Sequence, residues 1–170
     1  MNKITIDKKH AAYQVVALLA SITKNEDAPK YRHAYSVDGK LVATDQKRLL
    51  ELEQEKFKMF LDPGYYKITK SGSDYIIEAA VVEGSYPDYK RVIPAGNTIT
   101  EDIKHDNFSC FYCKLVRVPS YELILNVDYI EPWFKIPLYQ STASYMEKYS
   151  FPVLLSAEGL RYVVMPMTSY

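Results

Sequence analysis

Gly84-Ser-Tyr-Pro-Asp-Tyr-Lys-Arg-Val-Ile-Pro94 is the stretch on which the chain divides. Between Tyr86 and Asn97 three turn formers, Pro87, Pro94 and Gly96, interrupt a polar run. Proline fixes φ and removes a backbone donor, and glycine opens left-handed backbone, so neither helix nor strand continues easily through such a segment. We place the boundary near Ala95, giving an N-terminal unit over residues 1–95 and a second, reduced unit over 96–170. A length of 170 residues lies between one domain of ordinary size and two small ones.

Upstream, an apolar-polar alternation at Ile4, Thr5 and Ile6 precedes Asp7, which is placed to cap a helix. Its apolar residues Ala11, Val15, Leu18, Leu19 and Ile22 recur at three- and four-residue steps, and Asn25 to Pro29 close it. Tyr31–Val37 and Leu41–Asp45 flank Asp38-Gly39, the pair best suited to the left-handed turn of a two-residue hairpin. A further strand is expected over Phe57–Leu61, stopped by Asp62-Pro63-Gly64. A second hairpin joins Tyr65–Thr69 to Tyr75–Val82 across Ser71-Gly72-Ser73.

Downstream, Phe108–Val118 and Tyr121–Leu125 read as strands parted by Pro119, and Asn126 can cap a helix over Val127–Leu138. Pro132 suits only a first turn, and Pro137 should end or kink that helix, at about 3 kcal/mol if internal. Val153–Ser156 and Leu160–Met165, around Glu158-Gly159, close the pattern. Helix, short antiparallel strands, helix and more strands make an α+β protein with one or two helices on one face of its sheets.

Composition narrows the function classes. Hydrophobic residues make up 48% and charged residues 25%, as in an ordered globular protein. Lys plus Arg and Asp plus Glu balance at 21 each, so the long-range field does not suggest a base-reading DNA binder. Only a local excess stands out, with Lys3, Lys8, Lys9, Lys24, Lys30 and Arg32 against Asp7, Glu26 and Asp27. No apolar run approaches the roughly 20 residues of a membrane span. With no leader pattern at the start, a cytoplasmic protein is expected.

Three segments, taken together, resemble the bacterial DNA polymerase III β sliding clamp family. They are Leu41-Val-Ala-Thr-Asp-Gln-Lys-Arg-Leu49, the Gly84–Pro94 stretch, and Tyr162-Val-Val-Met-Pro-Met167, in the family's order. The middle one is the most specific. The resemblance covers roughly the second and third domains of a three-domain family chain, compressed, and nothing matches the first. It implies a DNA-clamp-like fold and a non-enzymatic processivity factor. Such a protein docks DNA polymerase, clamp loader or repair proteins by short peptides and encircles duplex DNA, without sequence specificity, as a homo-oligomer. It also leaves open a clamp mimic or adaptor that captures such peptides without encircling DNA.

In the family the peptide groove forms where these segments converge. The matching positions are Thr44, Lys47, Arg48 and Leu49, then Pro87, Arg91 and Val92, then Val163, Met165 and Pro166. Gln46 and Lys47 replace a usual Gly-His pair, which puts a side chain where positive φ would be penalised. An apolar slot of Leu49, Val92, Val163 and Met165 would accept apolar anchors, and methionine repacks easily around varied partners. Arg48 and Arg91 could hold a peptide backbone or an acidic group through their planar forks. The same residues also read as ordinary core with two solvated arginines. Lys8, Lys9 and Lys24 are the candidates for a DNA-facing side.

Other chemistry finds little support. Cys110 and Cys113 have metal-pair spacing near His105, but a structural zinc needs four ligands, and His10 and His33 are distant in sequence. They read as structural thiols, with no metal and no cofactor. No phosphate loop, nucleophile elbow or paired-carboxylate pattern suggests an enzyme. The 16 tyrosines mostly alternate with polar residues, which favours packing with a wet hydroxyl over base stacking.

Overall fold

A computed structural model describes residues 2–24, 28–95, 98–103, 110–111, 115–118, 121–138, 141–145 and 152–166. The chain forms two compact units, Met1–Asp88 and Tyr89–Tyr170, so the division falls inside the Gly84–Pro94 stretch, ahead of Ala95. Both units combine antiparallel sheet with one helix, an α+β architecture.

The first unit runs β1 (Lys3–Ile6), α1 (Tyr13–Ile22), β2 (Ala34–Val37), β3 (Lys40–Thr44), β4 (Arg48–Glu53), β5 (Gly64–Ser71) and β6 (Asp74–Ala80). Its strands lie in the order β1-β6-β5-β2-β3-β4. Helix α1 packs on β3, β4, β5 and β6 through Val15, Val16, Leu18, Leu19 and Ile22, all essentially removed from water. The helix starts later than its pattern suggests. Asp7 Oδ1 accepts from the backbone N–H groups of Lys9 at 2.8 Å and His10 at 3.0 Å, so it closes a turn ahead of the helix. The residue before the first turn is Ala12, whose N–H donates to His10 Nδ1 at 3.1 Å. Lys8 and Lys9 lie in the turn before α1 and Lys24 lies after its end, so none rides on the helix, whose own ten residues carry no charge.

The first hairpin is as its turn residues require: Val37 pairs with Lys40, and Asp38 and Gly39 take left-handed φ of 50° and 72°. Tyr31 belongs instead to a 3₁₀ turn, Pro29–Arg32. The second hairpin pairs Ser71 with Asp74, around Gly72 and Ser73.

Phe57–Leu61 is not a strand. Gln54 takes its backbone: the Phe57 and Met59 N–H groups donate to the Gln54 carbonyl at 3.2 and 2.8 Å, and Leu61 N–H donates to Gln54 Oε1 at 2.7 Å. The Gln54 amide also donates to Ser36 Oγ at 2.8 Å and the Lys40 carbonyl at 3.2 Å. Gln54, through its own carbonyl and its buried side chain, thus serves in place of a neighbouring strand. In this unit sequence reading passes over β4, whose buried Glu51 reads as a solvent position but holds Lys40 Nζ at 3.0 Å.

In the second unit β7 (Ile99–Ile103), β11 (Ser141–Tyr145), β12 (Val153–Ala157) and β13 (Leu160–Val164) pair in the order β13-β12-β11-β7. A separate small sheet holds β10 (Tyr121–Asn126), β9 (Leu115–Val118) and β8 (Cys110–Phe111) in that order. Asn126 caps α2 (Val127–Phe134), its side chain accepting from Asp128 N–H at 2.9 Å. Pro132 sits inside this helix, not in its first turn, and the helix stops at Phe134, ahead of Pro137. Trp133 is fully buried and stacks on Tyr162, ring centres 5.8 Å apart and planes 9° from parallel, while the Tyr162 hydroxyl donates to the Tyr129 carbonyl at 2.7 Å. Cys113 and His105 lie outside the described residues, and so does the side-chain environment of Cys110, so the reading of the cysteines as structural thiols falls there.

Candidate functional site

The first candidate segment is the turn between β3 and β4, which Thr44 and Leu49 close as a cross-strand pair. Asp45 organises it. Its Oδ1 accepts from the backbone N–H groups of Lys47 at 3.1 Å and Arg48 at 2.9 Å, and its Oδ2 accepts from Arg48 Nε at 2.8 Å. Arg48 Nη2 donates to the Ser21 carbonyl near the end of α1, at 3.1 Å. Thr44 Oγ1 donates to the Arg48 carbonyl at 2.9 Å and accepts from Gln46 N–H at 3.2 Å.

Arg48 is therefore committed to the fold, with side-chain exposures of 10% for it and 7% for Asp45. Gln46 adopts φ of 71°, so the left-handed backbone is kept despite the side chain, at a strain of about 1–2 kcal/mol. The turn displays Gln46 and Lys47 to solvent and hides Arg48 and Leu49. The clamp-like motif does not single out Asp45; the signal for it in the sequence is an Asp three residues ahead of an Arg within a hairpin turn.

The second segment leaves the first unit through Gly84, Ser85 and Tyr86. Tyr86 stacks on Tyr35, centroids 4.9 Å apart and planes 8° from parallel, and Tyr65 packs against both rings at 4.9 and 5.9 Å. Tyr65 donates its hydroxyl to the Gly84 carbonyl at 3.1 Å, and Tyr86 donates to the Val42 carbonyl at 3.5 Å. Burial, with a smaller contribution from Tyr35, holds the Tyr65 hydroxyl above its ordinary pKa. Pro87 is half-buried beyond this cluster.

In the second unit Tyr89–Val92 form a 3₁₀ turn with Tyr89 buried and Arg91 and Val92 exposed, Val92 at 42%. Val163 lies in β13 and is buried, whereas Met165, past the strand end, is 37% exposed and Pro166 half-buried. Of the four apolar candidates, Leu49 and Val163 are thus core, and Val92 and Met165 are the ones at the surface. Lys8, Lys9 and Lys24 are all exposed. Among the described residues no group of three or more His, Cys, Asp or Glu could hold a metal, and no helix is long and apolar enough to cross a membrane.

Solved structures decide the architecture. The Helicobacter pylori β clamp bound to a DNA ligase peptide matches over 98% of this chain, at a TM-score of 0.57 and 14% identity. The chain has the sliding-clamp fold. The Caulobacter crescentus polymerase III β subunit matches over 99%, at 0.56 and 17%, and the Borrelia burgdorferi β subunit, in complex with a natural product, over 100%, at 0.59 and 11%. At such identities the likeness is one of fold. The chain spans about two thirds of these proteins, 65–67% of their length. No family model matches the chain, and no curated protein matches it in sequence.

Proposed function

We propose that this chain is a sliding clamp-like processivity factor, not an enzyme, that docks replication and repair proteins by their clamp-binding peptides and closes around duplex DNA as a homo-oligomer. The observation that carries this reading is the clamp fold running through 98–100% of the chain. It is supported by three segments of clamp-like sequence in the family's order. In this reading Val92 and Met165 receive the apolar anchors of an extended peptide, as exposed apolar side chains with room to repack. Lys47 and Arg91, both exposed, meet its backbone or acidic groups. Asp45, Thr44 and Arg48 hold the turn that presents Lys47, and Pro87, Pro166, Leu49 and Val163 give the segments their shape.

Lys8, Lys9 and Lys24 would face DNA as exposed cations flanking α1. Their contacts with phosphate would be loose and salt-dependent, and a formal net charge of zero suits a protein that slides and does not stick. The protein would work in the cytoplasm. A second reading is a clamp mimic that binds the same peptides without encircling DNA, and retention on circular DNA that is lost on linearisation would contradict it.

Fluorescence anisotropy with a labelled copy of the DNA ligase peptide that the H. pylori clamp binds tests the docking. Saturable binding in roughly the micromolar range is expected. Met165→Glu should weaken it about tenfold or more, as loss of an apolar anchor does. Binding that ignores this substitution would remove Met165 from the docking surface.

A further inference from the structure

We infer that Tyr86 is a positioning residue for peptide docking: by stacking on Tyr35 and Tyr65 it moors the Gly84–Tyr86 segment to the first unit and so holds Pro87 in place. This inference rests on the docking function proposed above, but its structural half stands apart from it.

β6 ends at Ala80, and the following residues to Asp88 contain no helix or strand, so no ladder of backbone hydrogen bonds holds them. A free segment of this composition would sample many conformations. Here Gly84 takes a left-handed φ of 87°, a value that a side chain resists, and the chain then sets the Tyr86 ring flat on Tyr35 of β2. Tyr65 of β5 closes the third side, and its hydroxyl ties the Gly84 carbonyl at 3.1 Å. His33 meets the Tyr65 ring edge-on at 6.5 Å.

The stacked ring supplies the close contacts. The Tyr86 hydroxyl bond to the Val42 carbonyl is long, at 3.5 Å, whereas the ring contacts lie within the range at which aromatic pairs attract. Pro87 follows directly. A segment ordered before binding does not have to be ordered by the peptide, so the mooring raises affinity by preorganisation and not by touching the ligand.

Hydrogen exchange and peptide anisotropy on the full chain test both halves. In Tyr86→Ala, amides of residues 84–93 should exchange about tenfold faster, while those of β2, β3 and β5 keep their protection, the signature of a local release. Affinity for the labelled ligase peptide should fall about tenfold, because the peptide must now order the segment itself. Tyr86→Phe should keep both within about twofold, since the stacked ring survives. Unchanged exchange across 84–93 in Tyr86→Ala would overturn the mooring, whatever the peptide does. Faster exchange with unchanged affinity would overturn the positioning role. Failure of the parent protein to bind the peptide would instead defeat the docking function, and the positioning role with it.

Discussion

Replacing Asp45 with Ala is expected to lower stability by about 3–5 kcal/mol, the largest single effect in the first unit. The loss has two sources. The Arg48 guanidinium stays in a site with 10% side-chain exposure and keeps the Ser21 carbonyl, but loses the carboxylate 2.8 Å from its Nε, which leaves a nearly buried cation without that counter-charge. The backbone N–H groups of Lys47 and Arg48 also lose their acceptor. Two further variants separate these sources. Asp45→Asn keeps an oxygen for the N–H groups and should cost roughly half as much. Asp45→Ala combined with Arg48→Met removes the stranded charge and should recover part of the loss, as isosteric replacement of buried ion pairs does. Urea denaturation of the four proteins reads the outcome. A cost below about 1 kcal/mol for Asp45→Ala would mean that the pair behaves as a solvated surface bridge.

Trp133→Ala is expected to cost about 3–5 kcal/mol in the second unit, as truncation of a fully buried aromatic does. The ring is gripped by its stacking on Tyr162, so a cavity there cannot collapse cheaply. The indole nitrogen is buried and has no hydrogen-bond partner among the described residues. Trp133→Phe therefore gives up ring volume but also relieves an unsatisfied donor, and should cost only about 1–2 kcal/mol. Thermal unfolding followed by circular dichroism measures both. Equal losses for Phe and Ala would show that the indole nitrogen finds a partner in solution.

What the sequence disclosed was the local chemistry with a short reach. Asp38-Gly39 dictated a left-handed turn, Glu158-Gly159 a tight turn with left-handed φ at Gly159 alone, and Asn126 a cap, each within three or four residues of its effect. What it hid depends on partners far along the chain. β4 is buried nearly throughout, so it lacks alternation, and its Glu51 is tolerable only because Lys40 lies eleven residues away in sequence. The Gln54 network reaches back to Ser36 and on to Leu61, and no periodicity announces it. β7 and β11 pair with each other across nearly forty residues of intervening chain. The candidate segments were legible as motifs, but which side chains face solvent was not. Leu49 and Val163 look the same as Val92 and Met165 in a sequence, and only packing distinguishes core from surface.

The solution mass across a wide range of concentrations, by light scattering, tests the central claim most directly. A ring closed by neighbouring copies uses every interface and has a fixed subunit number. The account predicts one discrete oligomer that persists on dilution. A monomer at every concentration would contradict encirclement of DNA by this chain.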